Sequence, residues 1–235
     1  MTGSETFHAE EERLRSVYAS SRDDWRYSWL NPSHVHQLQE QHRAVLGLIR
    51  DAGYRSLEGA SVLDIGCGTG HWLRQFIEWG AQPARLTGID LLEGRIEVAR
   101  RSSPAGVTFR VANAAALGEP DASFDFVLQF TVFTSILDAQ LRQAIAAEMV
   151  RVTKPNGLIL WYDYHAPSPN PNVRAVKKRE ILTLFPHCDI RMRRITLAPP
   201  IVRFLAPRAA WLNGWLNAIP LLRTHYLAAI APRTR

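Results

Sequence analysis

The chain has 235 residues, 46% of them hydrophobic, which is enough to enclose one sizeable core. It has no apolar leader and no run long enough to span a bilayer without charge or proline, which points to a soluble, cytoplasmic protein. Two cysteines, Cys67 and Cys188, exclude a disulfide framework or a cysteine-built metal cluster. The net charge of +6 is unevenly spread: residues 1–173 carry 16 basic and 20 acidic side chains, residues 174–235 carry 12 and 2. A basic C-terminal quarter suits an anionic substrate, a phospholipid surface or nucleic acid, and equally a plain solvated face.

Residues 1–24 are polar and charge-rich and read as a loose helix or a disordered arm. Trp25, Tyr27 and Trp29 follow, and Pro32 stops any helix before it. Asn31 or Ser33 can cap the next helix, which runs to about Ala52 before Gly53. Leu38, Val45, Leu46, Leu48 and Ile49 fit one face of it.

The stretch Ser61-Val62-Leu63-Asp64-Ile65-Gly66-Cys67-Gly68-Thr69-Gly70 carries the strongest signal. Its apolar run predicts a buried parallel strand, and His71–Ile77 has helical periodicity. A strand that enters a helix through three glycines lets a ligand approach bare backbone and the unpaired N–H groups of a helix start. The spacing is G-x-G-x-G rather than the dinucleotide G-x-G-x-x-G, and Asp64 at the strand end would repel a pyrophosphate but suit an amino group. Asp64 to Gly70 resembles the first motif of class I S-adenosylmethionine-dependent methyltransferases. Cys67 reads as a small loop residue rather than a nucleophile.

The rest of the chain fits that resemblance. Arg85–Asp90 predicts a second strand, and Asp90, 20 residues beyond Gly70, can accept hydrogen bonds from two ribose hydroxyls. A helix over Glu93–Arg101 and a strand over Val107–Val111 follow. Asn113 then stands where the family commonly places an acidic residue facing adenine, and its side-chain oxygen can accept the same bond. Phe124–Phe130 predicts the fourth strand, whose end, at Gln129, borders the methyl group in the family. No histidine follows in Thr131–Ser135, where many relatives have one. A helix over Leu141–Thr153, a Lys154-Pro155-Asn156-Gly157 turn and a strand over Leu158–Tyr164 come next. A helix over Val173–Phe185, a strand over Cys188–Leu197 and a last strand over His225–Ile230 complete the pattern.

The reading is therefore an α/β, Rossmann-like, seven-stranded, mostly parallel sheet with helices on both faces. The order 3-2-1-4-5-7-6 is what the resemblance implies. Residues 1–32 form an N-terminal arm or lid, and 33–235 the methyltransferase domain. A helical insertion over about 198–224 includes a helix over Arg208–Ile219. S-adenosylmethionine is the implied cofactor, bound by Tyr27, Asp64, Gly66, Cys67, Gly68, Gly70, Asp90, Leu91, Asn113, Ala114 and Gln129. Tyr162, Asp163 and His165, at a strand mouth, are the candidates for a base; no metal is expected. The favoured acceptor is a hydroxyl on a small metabolite, a sugar or a lipid-linked molecule. Peripheral membrane contact through 198–224 and a homodimer are further expectations. The competing readings are an RNA or DNA methyltransferase, an NAD-dependent oxidoreductase, and a non-catalytic module that binds the cofactor.

Overall fold

The computed structural model describes residues 3–19, 25, 28–205, 215–216 and 218–233. At its centre lies β1 (Val62–Ile65), buried along its whole length. Four successive residues buried on both faces need a parallel neighbour on each side and helices above and below. β2 (Leu86–Asp90) and β4 (Phe124–Phe130) flank β1 in parallel, with Asp64 opposite Gly88 on one side and Leu128 on the other. β3 (Thr108–Val111) pairs beyond β2, and β5 (Thr153–Tyr164) beyond β4. β7 (Arg223–Pro232) inserts antiparallel between β5 and β6 (Cys188–Leu197). The order is β3-β2-β1-β4-β5-β7-β6, as the resemblance implied.

Two cores lie on the two faces of the sheet. On one, Leu63, Ile65, Val127, Ile159 and Trp161 meet α5 (Ala139–Val152), α6 (Lys178–Leu184) and Leu14 of α1 (Gly3–Ala19). On the other, Val62, Phe126, Leu128 and Leu160 meet α2 (Pro32–Asp51), α3 (His71–Glu78) and α4 (Glu93–Ser102). Asn31 caps α2 by accepting from the Ser33 N–H, with Pro32 in the first turn where its missing N–H costs nothing. Asp138 caps α5 through the Leu141 N–H.

Three elements differ from their sequence-based bounds. The Lys154–Gly157 turn is a bulge inside β5: the register advances from Phe124↔Thr153 to Phe126↔Leu158. A side chain on Gly157 there would press against the Asp125 and Phe124 carbonyls at 2.9 and 3.0 Å. α6 begins at Lys178 rather than Val173, because the Val176 N–H is taken by the Tyr164 carbonyl. The insertion contains α7 (Pro199–Leu205), held to α2 by the Ser33 hydroxyl on the Val202 carbonyl. Most of the helix expected over Arg208–Ile219, Trp211 included, lies outside the described residues, as does Tyr27. No helix among the described residues is long and apolar enough to cross a membrane.

Candidate active site

The turn from β1 to α3 has all three motif glycines at positive φ: 68° at Gly66, 53° at Gly68 and 81° at Gly70. Gly66 and Gly68 serve different ends. A Cβ on Gly66 would lie 2.5 Å from Val132 Cγ2, so Gly66 lets the loop after β4 pack. A Cβ on Gly68 would meet only the end of Arg95, at 3.9 Å, so here the backbone faces open space. Asp90 fixes this loop. Its two carboxylate oxygens accept from the Gly68 N–H and the Leu92 N–H, each at 2.9 Å, and each keeps a second lone pair. Cys67 is buried against Gly88, and burial pushes its thiol far above the ordinary range, which fits a packing role.

Asp64 is 2% exposed, and its Oδ2 has no hydrogen-bond partner. Burial, reinforced by nearby Asp90, holds its carboxyl well above the usual carboxylate range. An unpaired buried oxygen costs about 1–3 kcal/mol, and a ligand ammonium would remove that cost. The glycine turn, this carboxyl and Asp90 fit the amino-acid and ribose ends of S-adenosylmethionine.

Asn113 is turned inward: its Oδ1 accepts from the Ala115 N–H at 2.8 Å and its Nδ2 donates to Glu11 of α1. Leu91 and Ala114 are half-buried near it and pack against the Leu14-side core. α1 thus crosses the carboxyl ends of the strands. Glu10 accepts from the Leu137 N–H, Tyr18 bonds Ser135, and Arg95 lies 4.7 Å over the Tyr18 ring.

Tyr162, Asp163 and His165 do not converge, because β5 alternates its faces. Tyr162 points beneath α2, 3% exposed, and bonds Gln41 and Thr196, both at 2.9 Å. Burial pushes its phenol above the ordinary value. Asp163, on the opposite face, is 1% exposed and accepts from the Thr134 and Tyr164 N–H groups. Burial lifts its carboxyl to about 7. His165 packs on Tyr226 of β7, with ring centroids 4.3 Å apart. Gln129 is fully buried; its Oε1 holds the Val132 N–H, and its Nε2 has no partner.

A different group gathers beside the glycine loop. His42 of α2 and His71, the residue after Gly70, bring their Nε2 atoms to 3.3 Å, and Trp29 lies 5.8 Å from His71. The sequence reading took His71 only as the start of a helix. Its signal was weak, since nothing local links it to His42, 29 residues away.

Comparisons agree with this geometry. Residues 62–157 match the family model described as a methyltransferase domain. The chain is 36% identical over 137 residues to a ubiquinone biosynthesis O-methyltransferase of Methylocella silvestris, covering 55% of this chain and 51% of that protein. It is 32% identical over 153 residues to the O-methyltransferase cnsE of Penicillium expansum, covering 61% and 52%. The chain therefore spans about half the length of these curated relatives. Among solved structures, a Burkholderia thailandensis 1,6-didemethyltoxoflavin-N1-methyltransferase, determined with S-adenosylhomocysteine, superposes with a TM-score of 0.64 at 20% identity, over 100% of this chain and 92% of that one. The PH0226 protein of Pyrococcus horikoshii gives 0.63 at 17% identity, over 93% and 99%. Residues 62–157 thus match a methyltransferase domain, and the order of the seven strands is the fold shared with S-adenosylmethionine-dependent methyltransferases among the solved structures.

Proposed function

We propose that this protein transfers a methyl group from S-adenosylmethionine to a hydroxyl of a small-molecule acceptor. The observation that carries the reading is the unpartnered oxygen of buried Asp64, beside an open backbone approach at Gly68 and the Asp90 carboxylate. In this reading Asp64 receives the amino group, Asp90 the ribose hydroxyls, and Leu91, Asn113 and Ala114 border the adenine. The cofactor supplies a methyl group on a positively charged sulfur that is already activated for displacement. The chain's task is then to place the acceptor and keep water away. α1 favours that task, since it ties the loops after β3 and β4 together through Glu11 and Tyr18. The choice of oxygen as acceptor leans on the names of the curated relatives, which are O-methyltransferases.

Titration calorimetry should show tight binding of S-adenosylhomocysteine and none of NAD. Tight NAD binding would move the assignment to an oxidoreductase. Release of labelled methyl into a library of phenols, alcohols and carboxylic acids tests the oxygen acceptor. Transfer to none of them, or to amines only, counts against it.

A further inference from the structure

We propose that the cleft between α6 and the β6–β7 edge of the sheet binds a phosphate group, free or as the monoester of a small molecule.

The cleft has a volume of about 230 Å³ and is lined by Lys178, Met192, Arg193, Arg194 and Tyr226. A pocket for a drug-sized ligand has roughly 300–1,000 Å³, so this one suits a compact ion with the few atoms that carry it. The strand register brings the lining together. Arg194 of β6 lies opposite Tyr226 of β7, and Tyr226 opposite Asp163 of β5, so the three side chains leave the same face of the sheet. Met192, two residues back along β6, shares that face. Met192 and Tyr226 both pack against the core that α6 covers. Lys178 opens α6, and the chain before it is tied to the end of β5. The Val176 N–H donates to the Tyr164 carbonyl at 2.9 Å, and Lys177 Nζ to the His165 carbonyl at 2.7 Å. β7 and β6 stand three and four strands from β1, so the cleft is apart from the glycine turn.

The lining holds three cationic side chains and no acid. Acids near it in chain or register are engaged elsewhere. Glu180 pairs with Arg142 at 2.6 Å and with Arg174 at 3.3 Å, and Asp189 with Arg233 at 2.9 Å. Asp163 is taken by the Thr134 and Tyr164 N–H groups. The guanidinium of Arg193 is turned to the Ala44 carbonyl of α2. Among the described residues, neither Lys178 nor the Arg194 guanidinium has a carboxylate partner. Arg194 lies 5.9 Å over the Tyr226 ring, a contact that positions its charge and leaves its N–H groups for an oxyanion. His165 packs on the same ring, and its Nε2 is buried with no hydrogen-bond partner. Burial and then the charge of Arg194 lower His165, and Lys177 adds to the push. A bound anion would relieve that positive field. An arginine fork beside a lysine point charge matches the oxygens and the double charge of phosphate better than a single carboxylate. The basic excess of residues 174–235, 12 side chains against 2, thus has a focus away from the methyl-transfer turn.

The test is NMR of the full chain without cofactor, at about pH 7.5, where phosphate is largely dianionic. Inorganic phosphate, glycerol 3-phosphate and acetate are titrated at constant ionic strength. Both phosphates should saturate, with half-saturation at or below about 1 mM and shifts centred on Lys178, Arg194 and Tyr226. Acetate should bind about tenfold more weakly or less. The tighter of the two phosphates tells the free ion from the monoester. Arg194→Gln and Lys178→Gln should each weaken phosphate by about tenfold. Arg194→Lys, which keeps the charge and loses the fork, should weaken it less than Arg194→Gln. Arg191→Gln should leave binding unchanged, because Arg191 lies opposite Ala229 on the other face of the sheet. The titration midpoint of His165 should rise once phosphate fills the cleft. Shifts that never saturate, or that spread equally over Arg191, Arg203 and Arg233, would mean a solvated basic face and overturn the proposal. So would acetate binding as well as phosphate, an unmoved His165 midpoint, or attachment to phosphatidate vesicles with no response to either soluble phosphate.

Discussion

The carboxyl ends of β1 and β5 each bury an aspartate, Asp64 and Asp163, and treat it in opposite ways. At β1 and β2, Asp64 keeps an unpaired oxygen and Gly68 leaves its backbone open. At β5, Tyr162 and Asp163 are as deeply buried, yet their polar atoms are spent on Gln41, Thr196 and the Thr134 and Tyr164 N–H groups. Buried polar groups are normally satisfied by the protein itself, so an exception beside an open backbone is where a ligand fits. The comparison separates a strand end that leaves a carboxylate oxygen open from one that spends its aspartate and tyrosine on its own loops, with Gln129 of β4, its Nε2 unpartnered, lying between them.

The sharpest way to break that comparison is with glycines. Gly68→Val should abolish S-adenosylhomocysteine binding in a protein that still folds, since the new side chain enters open space at a cost of about 1–2 kcal/mol for the left-handed backbone. Gly88→Val, on the next strand, should fail the other way. Its Cβ would stand 2.8–2.9 Å from Phe109, Cys67 and Leu73, and overpacking of that kind costs about 1–3 kcal/mol or more. Thermal melts and calorimetry on both variants check the pair. A Gly68→Val protein with normal affinity would remove the loop from the site.

Asp163 offers a pH test of the β5 end. Its carboxyl is lifted from 3.8 to about 7, mainly by burial. A raised acid stabilises the fold fully below its unfolded value and loses that contribution as pH climbs through the folded one. Between pH 4 and 7 this group should therefore cost the protein about 4 kcal/mol. Asp64, also raised, adds a slope of the same sign in the free protein. Urea midpoints at pH 4.5 and 8 should show a smaller difference in Asp163→Asn than in the wild type. An unchanged difference would mean that Asp163 does not carry the proton. Asp90→Asn sharpens the open end: S-adenosylhomocysteine affinity should drop by about 1–3 kcal/mol, because the loop tie and the ribose acceptor weaken together.

The two ends were unequally legible in the sequence. β1, the three glycines and Asp90 lie within 29 residues, so the apolar run, the glycine spacing and the family resemblance together made this turn legible in the sequence. The acceptor side is assembled from α1, α2, the loop after β4 and β7, far apart in the chain. Three polar residues near the end of one strand read as a mouth, but alternation sends Tyr162 and Asp163 to opposite faces and His165 onto Tyr226. Asn113 was read as facing adenine, yet Ala115 and Glu11 engage it, a local turn and a helix contact that composition does not encode. The His42–His71 pair needs α2 and α3 side by side, which only the packing on the sheet supplies.

The smallest effect tests whether Tyr162 belongs to the closed end at all. Its hydroxyl joins Gln41 of α2 to Thr196 of β6, and its ring lies parallel to His225, 4.7 Å away. With its phenol pushed above the ordinary value, it stays protonated throughout the working range and cannot serve as a base. Tyr162→Phe keeps the ring and strips both bonds, so stability should fall by about 1–2 kcal/mol as Gln41 and Thr196 lose a partner. Cofactor affinity and methyl transfer should stay near wild type. A variant of normal stability whose methyl transfer collapses would return Tyr162 to the reaction and erase the division between the two strand ends.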